Sequence, residues 1–178
     1  MTKSTGSVAL VSVLGPDRVG LVSAVTGALF EQGVNLRDVS FAALGQGADF
    51  SAVCELPGGL AVADLTDSLS AVPELDGARL TVTPFTYDPN PGPLGLVTHR
   101  IEVSGGDQPG LIARLSDIFT QSAANIVRLE AQTLPGEDTG RYVIRFAVSL
   151  PPERVDTCLS AVANTAEMLG LICSVQTG

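Results

Sequence analysis

An α+β fold made of two copies of one small unit is predicted by three features of this 178-residue chain. The segment Asp17-Arg18-Val19-Gly20-Leu21-Val22 returns ninety positions later as Asp107-Gln108-Pro109-Gly110-Leu111-Ile112, and Asn125 repeats Asn35 at the same offset. A turn, a glycine and an asparagine held in one register argue for two copies of one structural unit. Strand-like and helix-like patterns then follow one another in the same order in both halves. Between the halves lies a run rich in proline and glycine.

Residues 7–14 are β-rich and end at Gly15-Pro16, a strand running into a turn. Leu21, Val22, Val25 and Leu29 form the stripe of an amphipathic helix over 18–32, stopped by Gly33. Residues 34–43 read as a strand and Gly45-Gln46-Gly47 as a hairpin turn. From Asp49 to Leu56 the chain alternates, with Phe50, Ala52, Cys54 and Leu56 on one face and Asp49, Ser51 and Glu55 on the other. After Pro57-Gly58-Gly59, Val62, Leu65, Leu69 and Val72 make a second helical stripe, closed before Pro73, and 78–84 is the last strand.

The second half repeats this order. A strand over 98–104 turns at Gly105-Gly106 into a helix carrying Leu111, Leu115, Ile118 and Phe119, with Pro109 near its first position. Residues 125–133 form a strand, 134–140 an acidic turn, and 141–149 a strand with Tyr142, Ile144, Phe146 and Val148 inward. Pro151-Pro152 opens a helix bearing Val155, Leu159, Val162, Ala166 and Leu169, Gly170 caps it, and 171–176 is the final strand. An order β-α-β-β-α-β folds as a ferredoxin-like unit, a four-stranded antiparallel sheet with both helices on one face. The expected division is 1–86, a semi-rigid linker at 87–97, and 98–178. Two such units leave sheet faces or edges to be covered by pairing, and a homodimer is one way to do so.

Composition narrows the function. The net charge of −9 comes from four basic against ten acidic residues in 1–90 and six against nine in 91–178. Neither half is basic, so a direct nucleic-acid partner is disfavoured. No apolar run is long enough to span a membrane, and the N-terminus lacks the pattern of a secretion signal, so a cytoplasmic location is expected. Cys54, Cys158 and Cys173 are widely spaced, which fits reduced, mostly buried thiols; with His99 the one histidine, no metal site is expected.

Three chemical motifs are set aside. Gly45-Gln46-Gly47 lacks the third glycine and the strand–helix context of a dinucleotide loop. Arg141-Tyr142-Val143-Ile144-Arg145-Phe146 resembles an RNA-recognition strand, but its aromatics share the apolar face. Arg18 beside a turn glycine has no general base with it, so no catalytic residue and no cofactor are assigned. His99 is expected at the surface or against the linker.

The repeated turn is the candidate site. Each first strand ends beside the start of a helix, where unpaired N–H groups and the positive end of the helix dipole favour an anion. Gly20 and Gly110 leave the backbone open to close approach, and Asn35 and Asn125 offer an amide donor and acceptor. An anion site with an amide suits a small zwitterion such as an amino acid. A structural reading stands beside this one. Asp17 and Asp107 cap helices, the glycines permit close packing, and the asparagines close turns.

The pattern Asp-x-x-Gly-Leu-Val, followed by Asn-Leu at the start of a strand, resembles the ACT domain family of small-molecule-sensing regulatory units. Gly-Pro-Asp-Arg-Val-Gly-Leu-Val, with a second such unit and no enzyme attached, is most similar to the glycine cleavage system transcriptional repressor group. The resemblance covers 7–85 and 98–176. It implies a non-enzymatic amino-acid sensor acting through a protein partner, with ligand contacts at Gly20, Leu21 and Asn35, and at Gly110, Leu111 and Asn125, usually between two ACT units. Val19 stands where Pro109 has the family's frequent proline, so the two sites need not be equal.

Overall fold

A computed structural model describes residues 6–134 and 140–178. The chain divides into two compact units, Met1–Pro89 and Asn90–Gly178. The first runs β1 (Val8–Pro16), α1 (Leu21–Glu31), β2 (Asn35–Leu44), β3 (Gly47–Glu55), α2 (Val62–Ser70) and β4 (Arg79–Pro84). The second runs β5 (His99–Gly105), α3 (Leu111–Gln121), β6 (Asn125–Leu134), β7 (Arg141–Ser149), α4 (Val155–Met168) and β8 (Ile172–Thr177). The sheets have the orders β2-β3-β1-β4 and β6-β7-β5-β8, antiparallel throughout. This is the ferredoxin-like arrangement twice over.

The alternation read from the sequence sets the first core. Ala9, Val11 and Val13 of β1 and Ala48, Phe50, Ala52 and Cys54 of β3 are buried on the face shared with Leu21, Val25 and Leu29 of α1 and Leu65 and Leu69 of α2. In the second unit Ile101, Val103, Ile144, Phe146 and Val148 meet Leu111, Leu115, Phe119, Cys158, Val162 and Ala166. Phe119 and Phe146 pack edge to face with centroids 5.0 Å apart, an arrangement worth about 0.5–1.5 kcal/mol beyond the area it buries. Burial also raises the Cys54 thiol to about 11 and pushes the Cys173 thiol up.

Several local expectations change. α1 begins at Leu21 instead of residue 18, because Gly20 at φ 91° is left-handed and cannot be part of a right-handed helix. Val22 is exposed, so the α1 stripe narrows to Leu21, Val25 and Leu29. The helix after Pro57 ends at Ser70, and Pro73–Leu75 forms a separate 3-10 turn. His99 is buried, with Nδ1 3.0 Å from Thr98 Oγ1, rather than at the surface. Within 87–97, Pro93–Gly95 is a 3-10 turn. Of the turn expected at 134–140, residues 135–139 lie outside the described residues.

Gly15 and Gly105 form a further repeated pair. A Cβ at Gly15 would stand 2.6 Å from Ala78 Cβ, and one at Gly105 2.5 Å from Leu171 Cδ2. Each lets the end of the central strand pass against the approach to the last strand.

In the folded protein a thiol reagent is expected to spare Cys54 and Cys158, which are fully buried, and to modify Cys173 slowly. All three react in denaturant; mass spectrometry of the labelled chain checks this.

Candidate functional site

At the start of α1 the chain makes an open, uncapped helix end. The N-cap residue is Gly20, no side chain caps the helix, and the turn is closed by Leu21 N–H to Arg18 O at 3.2 Å and Ala24 N–H to Gly20 O at 2.8 Å. The amides of the first turn have no acceptor within the helix and point outward. A Cβ built on Gly20 would have nothing within 4 Å, so this glycine answers the left-handed backbone and not close packing. A non-glycine residue there costs about 1–2 kcal/mol.

Around this end lies a hollow of about 660 Å³ lined by Asp17 to Ser23 and Phe41. Arg18 is drawn aside, with Nη1 donating to Glu74 O at 3.4 Å. The Asp17 amide donates to Gln46 O at 3.0 Å, which fixes the turn against the β2–β3 hairpin. Its side chain is exposed and makes no hydrogen bond or ion pair among the described residues, so Asp17 is not a cap. Val22 and Phe41 are partly exposed and give the hollow an apolar wall. Leu21 is a core residue, and what it presents to the hollow is backbone.

The start of α3 repeats the backbone. Gly110 is left-handed at φ 79°, and no side chain caps the helix. Leu111 N–H donates to Gln108 O at 3.3 Å and Arg114 N–H to Gly110 O at 3.0 Å. Asp107 to Ala113 and Tyr142 line a hollow of about 220 Å³, and Gln108, Pro109, Leu111, Arg114 and Leu169 line a second of about 270 Å³ at the same helix start. Two register positions account for the contrast. Tyr142 of β7 occupies the place of Ala48 in β3, and Ala131 of β6 that of Phe41 in β2. Gln108 Nε2 is turned away to Leu169 O at 3.0 Å.

Asn35 and Asn125 are not part of these hollows. β2 begins after α1 has run its 11 residues back along the sheet, about 16 Å at 1.5 Å per residue, so Asn35 stands at the other end of the helix from Gly20. Its Nδ2 donates to Glu55 Oε2 at 2.9 Å, and Arg37 Nε donates to Glu55 Oε1 at 2.7 Å. Those bonds, Asn35 first and then Arg37, hold the Glu55 carboxyl below the usual glutamate range. Asn125 Nδ2 donates to Leu94 O at 2.7 Å. Within one unit the sequence-predicted residues therefore separate into a glycine turn at one end and an asparagine at the other. The sequence does not single out Val22 and Phe41 as lining this hollow, since Val22 falls in a helical apolar stripe and Phe41 in a strand with no marked face.

Among the described residues no group of His, Cys, Asp or Glu is placed to hold a metal ion, and no helix is long and apolar enough to cross a membrane.

The fold and the doubled helix start define a tandem α+β unit, and comparison with known proteins identifies the class. The ACT domain family matches residues 7–79. The glycine cleavage system transcriptional repressor of Escherichia coli (strain K12) is 30% identical over 142 residues, covering 78% of this chain and 71% of that protein. A protein of unknown function from Galdieria sulphuraria superposes with a TM-score of 0.76 at 22% identity, covering 97% of this chain and 98% of that one. A crystal structure of a putative glycine cleavage system transcriptional repressor gives a TM-score of 0.61 at 16% identity, covering 98% and 99%. These two structures share the fold. The chain belongs to the ACT-domain regulatory family that includes the glycine cleavage system transcriptional repressor.

Asn35→Ala is expected to raise the Glu55 pKa toward the ordinary glutamate value, by removing the largest contribution to its depression. A carboxyl depressed by folding stabilises above its unfolded-state pKa, and that stabilisation is lost as pH falls through the folded value. NMR titration of Glu55 in both proteins checks the direction.

Proposed function

We propose that the protein is a non-enzymatic amino-acid sensor whose ligand binds at the start of α1. The observation that carries this reading is the uncapped helix end opening on a hollow beside the unpaired carboxylate of Asp17. The ligand's carboxylate takes the amides of the first turn, where charge-assisted hydrogen bonds contribute about 1.5–3 kcal/mol each. Its ammonium group takes Asp17, and its side chain lies along Val22 and Phe41. The hollow falls within the range of about 300–1,000 Å³ usual for small-molecule sites, whereas the start of α3 divides its space between two hollows that are each below it. We assign the stronger site to the first unit and a weaker one, or none, to Asp107, Gly110 and Leu111. Asn35 and Asn125 have a structural role within their own units in this reading.

The signal passes to a protein partner. The relative from Escherichia coli is named a transcriptional repressor. A chain of net charge −9 is poorly suited to bind nucleic-acid phosphates itself, so control of transcription would run through another protein. Ligand binding biases the partner's equilibrium only through its differential affinity for one conformation of the sensor. Copies of the chain also have a surface for pairing. β2 and β6 are exposed edges carrying Val39, Phe41 and Leu44, and Val127, Leu129 and Leu134. A scaffold that pairs by these edges without any ligand is the second reading.

A thermal-shift screen against the twenty amino acids separates the two, since a ligand of the native state raises Tm by mass action. One amino acid or a related few is expected to do so. Asp17→Asn should weaken that binding about tenfold, as loss of one charge-assisted contact implies. Val19→Glu, at an exposed position, places a carboxylate at the helix start. It should abolish binding in isothermal titration while raising Tm slightly. No shift from any amino acid, with a dimer in analytical ultracentrifugation, would favour the scaffold.

A further inference from the structure

The open face of the second sheet, away from α3 and α4, carries arginines at two positions where the first does not. Arg128 of β6 pairs across to Ala147 of β7, Ala147 to Arg100 of β5, and Arg100 to Gln176 of β8, forming one row. The next row on that face is Glu130, Arg145, Glu102 and Ser174. There Arg145 Nε donates to Glu102 Oε2 at 2.8 Å, so its charge is matched. Arg100 and Arg128 are exposed and have no ion pair or side-chain hydrogen bond among the described residues. Between them the small side chain of Ala147 floors a hollow of about 490 Å³, whose far side is lined by Glu102, Glu130 and Arg145.

This geometry matches one chemistry. Strands lie about 4.7–4.9 Å apart, so the two arginine Cα atoms, two strands apart, stand about 10 Å from each other. Two guanidinium groups reaching inward from that distance close on a single oxyanion, each presenting a planar fork of donors. Gln176 adds a neutral amide at the end of the row. Glu102 and Glu130 stand one row on, about 7 Å along the strands, and repel a second negative charge. A polyanion is therefore disfavoured, and a small ligand with one anionic head and a neutral or cationic remainder fits.

The duplication supplies an internal control. At the matching positions of the first unit are Leu10, Val53 and Thr83, with Asp38 in the place of Arg128. The following row is Ser40, Ser51, Ser12 and Thr81. The first sheet's open face has its arginines elsewhere, Arg37 paired with Glu55 and Arg79 at the start of β4, so the fold does not need arginines at these two positions.

We infer that the second unit carries a separate ligand site on its open sheet face, where Arg100 and Arg128 hold the carboxylate or phosphate group of a small metabolite over Ala147. This site is independent of the one at α1 and gives the protein a second input.

The test is an NMR titration of the full chain carrying Val19→Glu, which occupies the α1 start, with inorganic phosphate and separately with acetate. Saturable shifts of the Ala147 and Gln176 amides are expected at millimolar concentration from at least one anion. Phosphate alone identifies a phosphate ester, and acetate alone a carboxylate. Adding Arg100→Gln or Arg128→Gln, both exposed, should weaken binding about tenfold or more, while Arg18→Gln leaves it unchanged. No saturable shift from either anion, or binding left unchanged by both arginine substitutions, would overturn the site. Either result leaves the α1 reading untouched.

Discussion

Reversing a chain tightly enough to lay a helix on the strand it has just left requires a backbone conformation that side chains resist. In both units that reversal passes through one left-handed glycine, Gly20 at φ 91° and Gly110 at φ 79°. The glycine sits directly before the helix, so it takes the N-cap position and brings no side chain to accept from the first-turn amides. The constraint that folds the unit thus leaves a polarised, unsatisfied helix end beside the hairpin joining the neighbouring strands. Everything proposed for the first unit follows from that coincidence of fold and chemistry.

The two copies keep the constraint and differ in what surrounds it. Phe41 and Ala48 in the first unit become Ala131 and Tyr142 in the second, and the hollow of about 660 Å³ beside the glycine gives way to two of about 220 and 270 Å³. The open sheet faces diverge more strongly. Where one has a row of hydroxyls beside Leu10 and Val53, the other has arginines and glutamates. The cores are alike and the surfaces differ.

The fold was legible because period and register are written in the side chains. Phe50, Ala52 and Cys54 are the buried face of β3, and Ile144, Phe146 and Val148 that of β7. The constant offset of ninety positions placed both turns. The site was legible only in part. The aspartates and glycines were marked by repetition, but adjacency in a motif says nothing of which end of a helix a residue occupies. Asn35 and Gly20 share a motif, yet within one unit α1 holds them apart. The left-handed backbone that requires a glycine at each turn is not written in the side chains. Val22 is apolar at helical spacing, yet it faces solvent, because the stripe buried by a short helix over an edge strand is narrower than its apolar residues suggest. The arginine row is invisible in sequence, since it depends on the register of four strands drawn from distant segments.

The claim that a ligand's carboxylate lies on the first turn of α1 is tested most directly at the amides themselves. NMR of the full chain, titrated with the amino acid that raises its melting temperature, should show saturable displacement of the Val22 and Ser23 amide signals, with smaller changes at Phe41. The amides around Asn35 should stay in place. Displacement centred on Asn35 or on the second unit, with Val22 and Ser23 unmoved, would contradict the account.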